Sequence, residues 1–281
     1  MRRAGAHCKT ARPVLYFVRP VPGDSLQRGM TMDPARFSRP LCVLCPILGA
    51  AGFFFRTLQL RAGFEADTGL AIPGNLPGQL ALLAAALTAL CAALAALALP
   101  APKGPADLER FRFPFRPTQI VYAALTAAAG LVLFSAGPLG PRLSPLLAAV
   151  CLMTALYALL LPLSGRRLRI VFLMEHTLFY VVLLILLFSR RSTDPVWMDF
   201  WPQLLALCAV ALALCALSAA ACGVGKIRRG LFFLLCGGAW SIIAAADCCT
   251  PSALPALPLF AAAAVLLLSC ALRAAKGGDT P

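Results

Sequence analysis

Long apolar runs alternate with short polar or basic segments over nearly the whole chain after residue 40. A helix needs about 20 apolar residues to cross roughly 30 Å of hydrocarbon, and eight runs reach or approach that length. The runs are Leu41–Leu60, Gln79–Leu99, Gln119–Ala136, Leu146–Leu163, Ile170–Phe188, Leu204–Gly223, Leu231–Ala246 and Leu254–Leu272. The pattern predicts an all-α fold, a polytopic transmembrane helical bundle with eight spans.

The segment before the first run has a different character. Residues 1–40 are rich in Lys and Arg, and their longest apolar stretch is VLYFV. A secretory signal needs an apolar region of about 7–15 residues, so we expect this segment to stay uncleaved, and its lack of periodicity predicts disorder. Met30 and Met32 are alternative translation starts. The membrane domain is predicted to occupy residues 41–273, followed by a short tail at 274–281.

Composition and charge agree with a membrane protein. The chain is 60% apolar and 13% charged, whereas soluble domains are about 45–50% apolar and about 25% charged. The net charge of +14 could indicate nucleic-acid binding, but 20 of the 25 Lys and Arg residues fall in alternate connections. This asymmetry predicts that both termini lie in the cytoplasm and that the protein sits in the plasma membrane. It also favours contact with anionic lipid headgroups over binding of nucleic acid.

Motifs for catalysis or metal binding are missing from the sequence. The only histidines are His7 and His176, and only the second lies in a span, so an H-E-x-x-H zinc site cannot form. The G-x-S-x-G and G-x-G-x-x-G patterns are also absent. We therefore predict no catalytic residue, no metal site and no cofactor.

Cysteines are numerous, and most lie inside the spans, where they act as small packing residues. Cys208, Cys215 and Cys222 recur at intervals of seven residues, which predicts a helix-packing seam on the sixth span. Cys42 and Cys45 form a C-x-x-C motif without a second pair, so packing is favoured over a redox or metal role.

Arg56 interrupts the outer part of the first run. It lies on one helical face with small and polar residues at alternating intervals of four and three, namely Cys45, Gly49, Gly52, Gln59 and Gly63. Such a face packs against other helices, so Arg56 should point into the bundle and need a partner. We predict a polar lock between Arg56 and Asp247 at the outer end of the seventh span. Glu65 and Asp67 are competing partners.

Glu175 and His176 form the second intramembrane candidate. They lie about 8–9 Å inside the predicted cytoplasmic boundary of the fifth span. A carboxyl group at this depth is costly unless it is neutral or paired. In one interpretation Glu175 bonds back to Arg166, Arg167 and Arg169 or is protonated in a helix contact, and in the other the two residues handle protons or cations.

The stretch RTLQLRAGFEADTGLAIPG follows the first apolar run. It resembles a signature, R-x-x-Q-L-x-x-x-F-E-x-D-T-G-L-x-x-P-G, of a group of bacterial multi-pass membrane proteins for which no activity is established. The resemblance implies a polytopic membrane protein and carries over no catalytic residue. Within the stretch, Gly69, Pro73 and Gly74 predict turns, while Glu65 and Asp67 are candidate cation ligands.

Three function classes remain open. A non-catalytic structural or regulatory subunit, bound to a membrane-protein partner or to a second copy, is favoured because few polar residues lie at mid-membrane. A transporter of small solutes or ions would use Glu175 and His176, or Arg56 and Asp247, and would show broken helices near Gly237–Gly238. An intramembrane enzyme would need clustered nucleophiles or metal ligands.

Overall fold

The computed structural model describes residues 34–65, 67–99, 116–136, 142–160, 165–192, 200–249 and 256–276. Within these ranges the chain forms eight α-helices, each long and apolar enough to cross a membrane. They are α1 (Pro34–Ala62), α2 (Leu76–Ala98), α3 (Arg116–Ala136), α4 (Leu143–Leu160), α5 (Arg166–Arg191), α6 (Trp201–Ala221), α7 (Ile227–Asp247) and α8 (Leu257–Lys276). The predicted all-α bundle is confirmed, and the chain is a multi-pass membrane protein.

The first helix starts earlier than predicted. α1 begins at Pro34 instead of Leu41, so residues 34–40 are helical and not disordered. Proline suits the first turn of a helix, because its missing N–H is one that would have no intrahelical partner. The remainder of the basic segment, with Met30 and Met32, lies outside the described residues. At the other end of the membrane domain, α8 continues to Lys276, whereas the predicted domain boundary was residue 273.

α7 is the most buried helix and contacts α1, α2, α6 and α8. Glycines make these contacts close. A Cβ atom added at Gly237 would lie 3.1 Å from the carbonyl oxygen of Ala209 on α6 and 2.9 Å from Cδ1 of Leu267 on α8. Because lipid supplies no hydrophobic force between helices, such close packing is what stabilises the bundle. α7 is continuous through Gly237–Gly238, and the break expected of a transporter does not occur there.

The other helices are arranged around this centre. α3 and α4 form a pair in which α3 contacts α8 and α4 contacts α5, and α5 packs against α6. The outward faces carry large apolar side chains, among them Leu83, Phe134, Leu178 and Ile185. These faces suit contact with lipid chains.

Contacts between helix ends define two ends of the bundle. Arg56, one turn before the last turn of α1, pairs with Asp247, the last residue of α7, and we call this end of the bundle the Asp247 end. At the opposite end, Arg228 in the first turn of α7 donates from Nε to the carbonyl oxygen of Leu99 after α2, at 3.0 Å. This Arg228 end also carries Lys226 and Arg229, both exposed. The exposed carboxyl groups of Glu65 and Asp67, in the turn between α1 and α2, lie at the Asp247 end.

Candidate functional site

The face of α1 predicted to pack against other helices does so. A Cβ atom at Gly49 would lie 2.9 Å from the carbonyl oxygen of Ala239 on α7. One turn later, a Cβ atom at Gly52 would lie 2.7 Å from Cδ1 of Ile243. The backbone of α1 therefore approaches α7 closely, and the side chain of Arg56 on the same face is directed between the helices.

Arg56 lies in a cluster with Gln59 and Asp247, which we call the Arg56 cluster. Arg56 Nε donates to Asp247 Oδ1 at 2.6 Å, and Arg56 Nη1 donates to Gln59 Oε1 at 2.8 Å. Arg56 is 1% exposed and Asp247 is 6% exposed, so the two opposite charges meet away from solvent. The predicted Arg56–Asp247 pair is confirmed. The pair places an opposite charge beside the buried guanidinium group, which would be costly alone.

Gln59 connects this cluster to α2. A Cβ atom at Gly78 would lie 2.6 Å from Gln59 Nε2, so any other residue at this position would displace the Gln59 amide. Gln59 thus contacts α2 while it accepts a hydrogen bond from Arg56. The Arg56 cluster therefore joins three helices, α1, α2 and α7.

The turn between α1 and α2 is ordered by hydrogen bonds within residues 63–75. Phe64 pairs with Ala71 in an isolated β-bridge, and the Arg56 guanidinium carbon lies 6.0 Å from the Phe64 ring centroid. Gly69 and Gly74 have φ angles of 67° and 76°, a conformation that favours glycine. The predicted turns at these two glycines are confirmed, and the turn contacts Arg56 through Phe64.

Glu65 and Asp67, the competing partners of Arg56, are both exposed in this turn. Glu65 Oε2 accepts a hydrogen bond of 2.6 Å from the Thr68 hydroxyl, which in turn accepts from the Leu70 amide at 3.2 Å. The carboxylate of Glu65 thus shapes the turn. The cation site suggested for Glu65 and Asp67 remains a prediction.

His176 occupies a second buried polar cluster, where α3, α4 and α5 meet; we call it the His176 cluster. It consists of Tyr122, Thr154, Glu175, His176 and Tyr180. His176 Nε2 lies 2.8 Å from Tyr122 Oη, and both side chains are buried. The Phe172 and Phe179 rings stack along the imidazole at 5.8 and 6.1 Å, and Tyr180 contacts it edge-on at 5.1 Å.

Glu175 belongs to the same region but is only half-buried. The Thr154 hydroxyl of α4 donates to Glu175 Oε1 at 3.2 Å. The sequence suggested either the arginines at the start of α5 or a contact with another helix, and it did not identify Thr154 as the partner. A hydrogen bond to a neutral hydroxyl leaves the ionisation of the carboxyl group open, so proton or cation handling by Glu175 and His176 remains a prediction.

Tyr122 is the main residue that sequence reasoning missed. A single Tyr within the apolar run of α3 has no periodic signal, and its partner is 54 residues away in the chain. The available signal was chemical: a Tyr hydroxyl buried within a span requires a hydrogen-bond partner, and His176 was one of few candidates.

The cysteine seam predicted on α6 is wrong. Cys208, Cys215 and Cys222 are exposed, whereas Ala206, Ala213 and other small residues of α6 face the bundle. Cys42 and Cys45 are buried, as expected of packing residues, and Cys45 lies near Thr88 of α2. Among the described residues no group of three or more His, Cys, Asp or Glu side chains could hold a metal ion.

Comparisons of this chain with protein-family models, with curated proteins and with solved structures find no match.

Proposed function

We propose that the protein is a non-catalytic structural or regulatory subunit of a membrane assembly. The observation that carries this proposal is the Arg56 cluster. The buried Arg56 donates one hydrogen bond to Asp247 and one to Gln59 at the junction of α1, α2 and α7. A binding site for a charged solute would have to break this buried pair, at a cost of about 3–5 kcal/mol.

The residues of the outer turn support the same proposal. Most signature residues shared with the bacterial multi-pass group have a structural task here: Arg56 and Gln59 join helices, and Gly69 and Gly74 allow turns. A signature whose residues serve packing and turn geometry is typical of a protein in which the helix arrangement itself is maintained. We propose that the chain belongs to that group on this ground.

Orientation and location follow from charge. We propose that the Arg228 end faces the cytoplasm, with both termini there, and that the membrane is the plasma membrane. Lys226 and Arg229 are exposed at this end. Basic residues at a membrane surface contribute about 1 kcal/mol each to contact with anionic headgroups, so the cytoplasmic leaflet is the lipid partner.

The experiment that tests a subunit role is extraction of the tagged protein with its native lipids, followed by mass spectrometry of what is retained. Two differently tagged copies expressed together report whether a second copy is present. A partner protein or a second copy at constant stoichiometry is expected. Recovery of the chain alone, as a monomer, would contradict the proposal.

Ion transport is the second candidate function, and the His176 cluster favours it. Ionisable residues inside membrane spans commonly mark ion or proton paths, and Glu175 and His176 lie side by side with hydrogen-bond partners on two other helices. Ion flux into proteoliposomes that is lost on His176→Gln substitution is the expected result for this candidate. Equal flux in both proteins would contradict it.

A further inference from the structure

The two ring nitrogens of His176 have different surroundings. Nε2 lies 2.8 Å from Tyr122 Oη, while Nδ1 is buried and has no hydrogen-bond partner among the described residues. A buried polar nitrogen without a partner raises the free energy of the folded state, because its lost hydration is not replaced. Because His176 is 1% exposed, water from the surface does not offset this cost. A nitrogen kept in this condition inside a membrane span points to a use.

The neighbours of the ring restrict what Nδ1 can bind. Phe172 and Phe179 stack on the imidazole, and Tyr180 meets it edge-on, so aromatic groups occupy its surroundings. A metal ion needs several ligands at once, and the described residues offer no group of three around His176. A proton needs only one lone pair, which an imidazole nitrogen supplies.

A protonated imidazole in this place needs a negative charge nearby. The described carboxyl groups are Glu65 and Asp67 in the outer turn, Asp247 beside Arg56, and Glu175. Glu175 is the one on α5, adjacent to His176 in sequence. The other titratable groups of the site are the neutral hydroxyls of Tyr122 on α3 and Tyr180 on α5, and the thiol of Cys151 on α4, which interacts electrostatically with both tyrosines.

We propose that His176 is a reversible proton-binding site, with Nδ1 as the proton acceptor, Tyr122 as the partner of Nε2 and Glu175 as the compensating carboxylate. The neutral ring carries its hydrogen on Nε2 and donates it to Tyr122 Oη. Protonation forms one N–H bond at Nδ1 and breaks one O–H bond of a hydronium ion, which leaves as water. No other bond in the protein forms or breaks. This site would give the second candidate function, ion transport, its proton-binding residue. The proposal rests on that function only where it concerns movement of the bound proton across the membrane.

The chain is well suited to a direct test, because it has only two histidines. In a His7→Gln background, ¹⁵N-labelled histidine in lipid bilayers gives the ring signals of His176 alone. Between about pH 8 and about pH 2, we expect the Nδ1 signal to move from that of a bare nitrogen to that of a protonated one. Ring signals that stay constant over this range would overturn the proposal.

Two variants assign the roles of the neighbours. In Glu175→Gln, the loss of the carboxylate should reduce proton binding at a given acidic pH about tenfold. In Tyr122→Phe, the Nε2 signal should change at constant pH. The matched control is Tyr157→Phe, which removes a hydroxyl from a Tyr that contacts Phe172 and should leave the His176 signals unchanged. Identical titrations in Glu175→Gln and the parent protein would remove Glu175 from the proposal.

Transport is measured separately, with a pH-sensitive dye inside proteoliposomes. If the His176 ring titrates but no proton flux is measured, the proton-binding site is retained and the transport function is contradicted. A ring that does not titrate, in a protein that still moves another ion, contradicts the proton site and leaves transport standing. The titration is recorded on the His7→Gln protein, in which the His176 cluster is unchanged. The proposal can therefore be tested even if one of the other variants fails to fold.

Discussion

At the scale of the residue, glycines decide how closely the helices meet. Gly49, Gly52 and Gly78 each stand where a Cβ atom would be less than 3.0 Å from an atom of a neighbouring helix. The backbone approach they permit brings Arg56 within hydrogen-bonding distance of Asp247. The polar contact and the small residues around it therefore depend on each other.

Substitution of Gly49 tests this dependence. The neighbour of its missing Cβ is the backbone oxygen of Ala239, which cannot move aside as a flexible side chain can. We expect Gly49→Val to lower the free energy of unfolding by about 1–3 kcal/mol, measured by thermal unfolding in detergent. The control is Gly165→Ala, since an added Cβ there meets nothing within 4 Å. Equal effects of both variants would contradict the close approach.

The sequence revealed Arg56 but not Tyr122, and the difference is physical. Arg56 is a charge on a face of small residues, so both its direction and its need for a carboxylate can be inferred without a structure. The Tyr122–His176 contact depends on how α3 and α5 are placed side by side, which helical periodicity within one span does not contain.

At the scale of the element, α7 is the helix on which the others depend. It contacts four helices, and both of its ends are fixed by arginine contacts. At its first turn, Arg228 donates to the carbonyl oxygen of Leu99, at the end of α2. The last carbonyl groups of a helix have no intrahelical donors, so this side chain supplies one from another helix.

We expect Arg228→Ala to destabilise the end of α2 by about 1.5 kcal/mol, because it removes a charge-assisted hydrogen bond to a helix terminus. Hydrogen exchange at the last turn of α2 is the local measurement. Arg229→Ala is the matched control: the neighbouring arginine is exposed, and we expect no change in exchange at α2. Faster exchange in both variants alike would indicate a general charge effect.

The error on α6 also belongs to this scale. Cys208 and Cys215 are seven residues apart, but so are Ala206 and Ala213, and only the alanines face the bundle. When a helix carries small residues on several sides, their spacing in the sequence does not show which side is buried. The spans themselves could be predicted because their length and hydropathy are set by the bilayer, which acts on each helix alone.

At the scale of the whole molecule, the charges at the two ends are unequal. Lys226 and Arg229 are exposed at the Arg228 end, whereas Glu65 and Asp67 are exposed beside Arg61 at the Asp247 end. This distribution is the basis of the proposed orientation. It also supplies the proposed contact with anionic lipids of the cytoplasmic leaflet.

Two native cysteines can test the orientation. Cys249 follows α7 and Cys222 follows α6, so they lie at opposite ends, and both are exposed. A membrane-impermeant maleimide should label Cys249 in intact cells and Cys222 only after permeabilisation. Cys249→Ser should abolish the labelling of intact cells, and Cys222→Ser should not. Labelling of Cys222 from outside would reverse the topology.

The most direct test of the account is a double-mutant cycle of Arg56→Met and Asp247→Asn, with unfolding free energies measured in lipid bicelles. The cycle tests whether the buried Arg56–Asp247 pair holds α1 to α7. Each single variant should lose about 3–5 kcal/mol, because it leaves one charge buried. The double variant should lose at least about 2 kcal/mol less than the sum, while Arg61→Met, an exposed control on α1, should change little. Additive losses would contradict the claim.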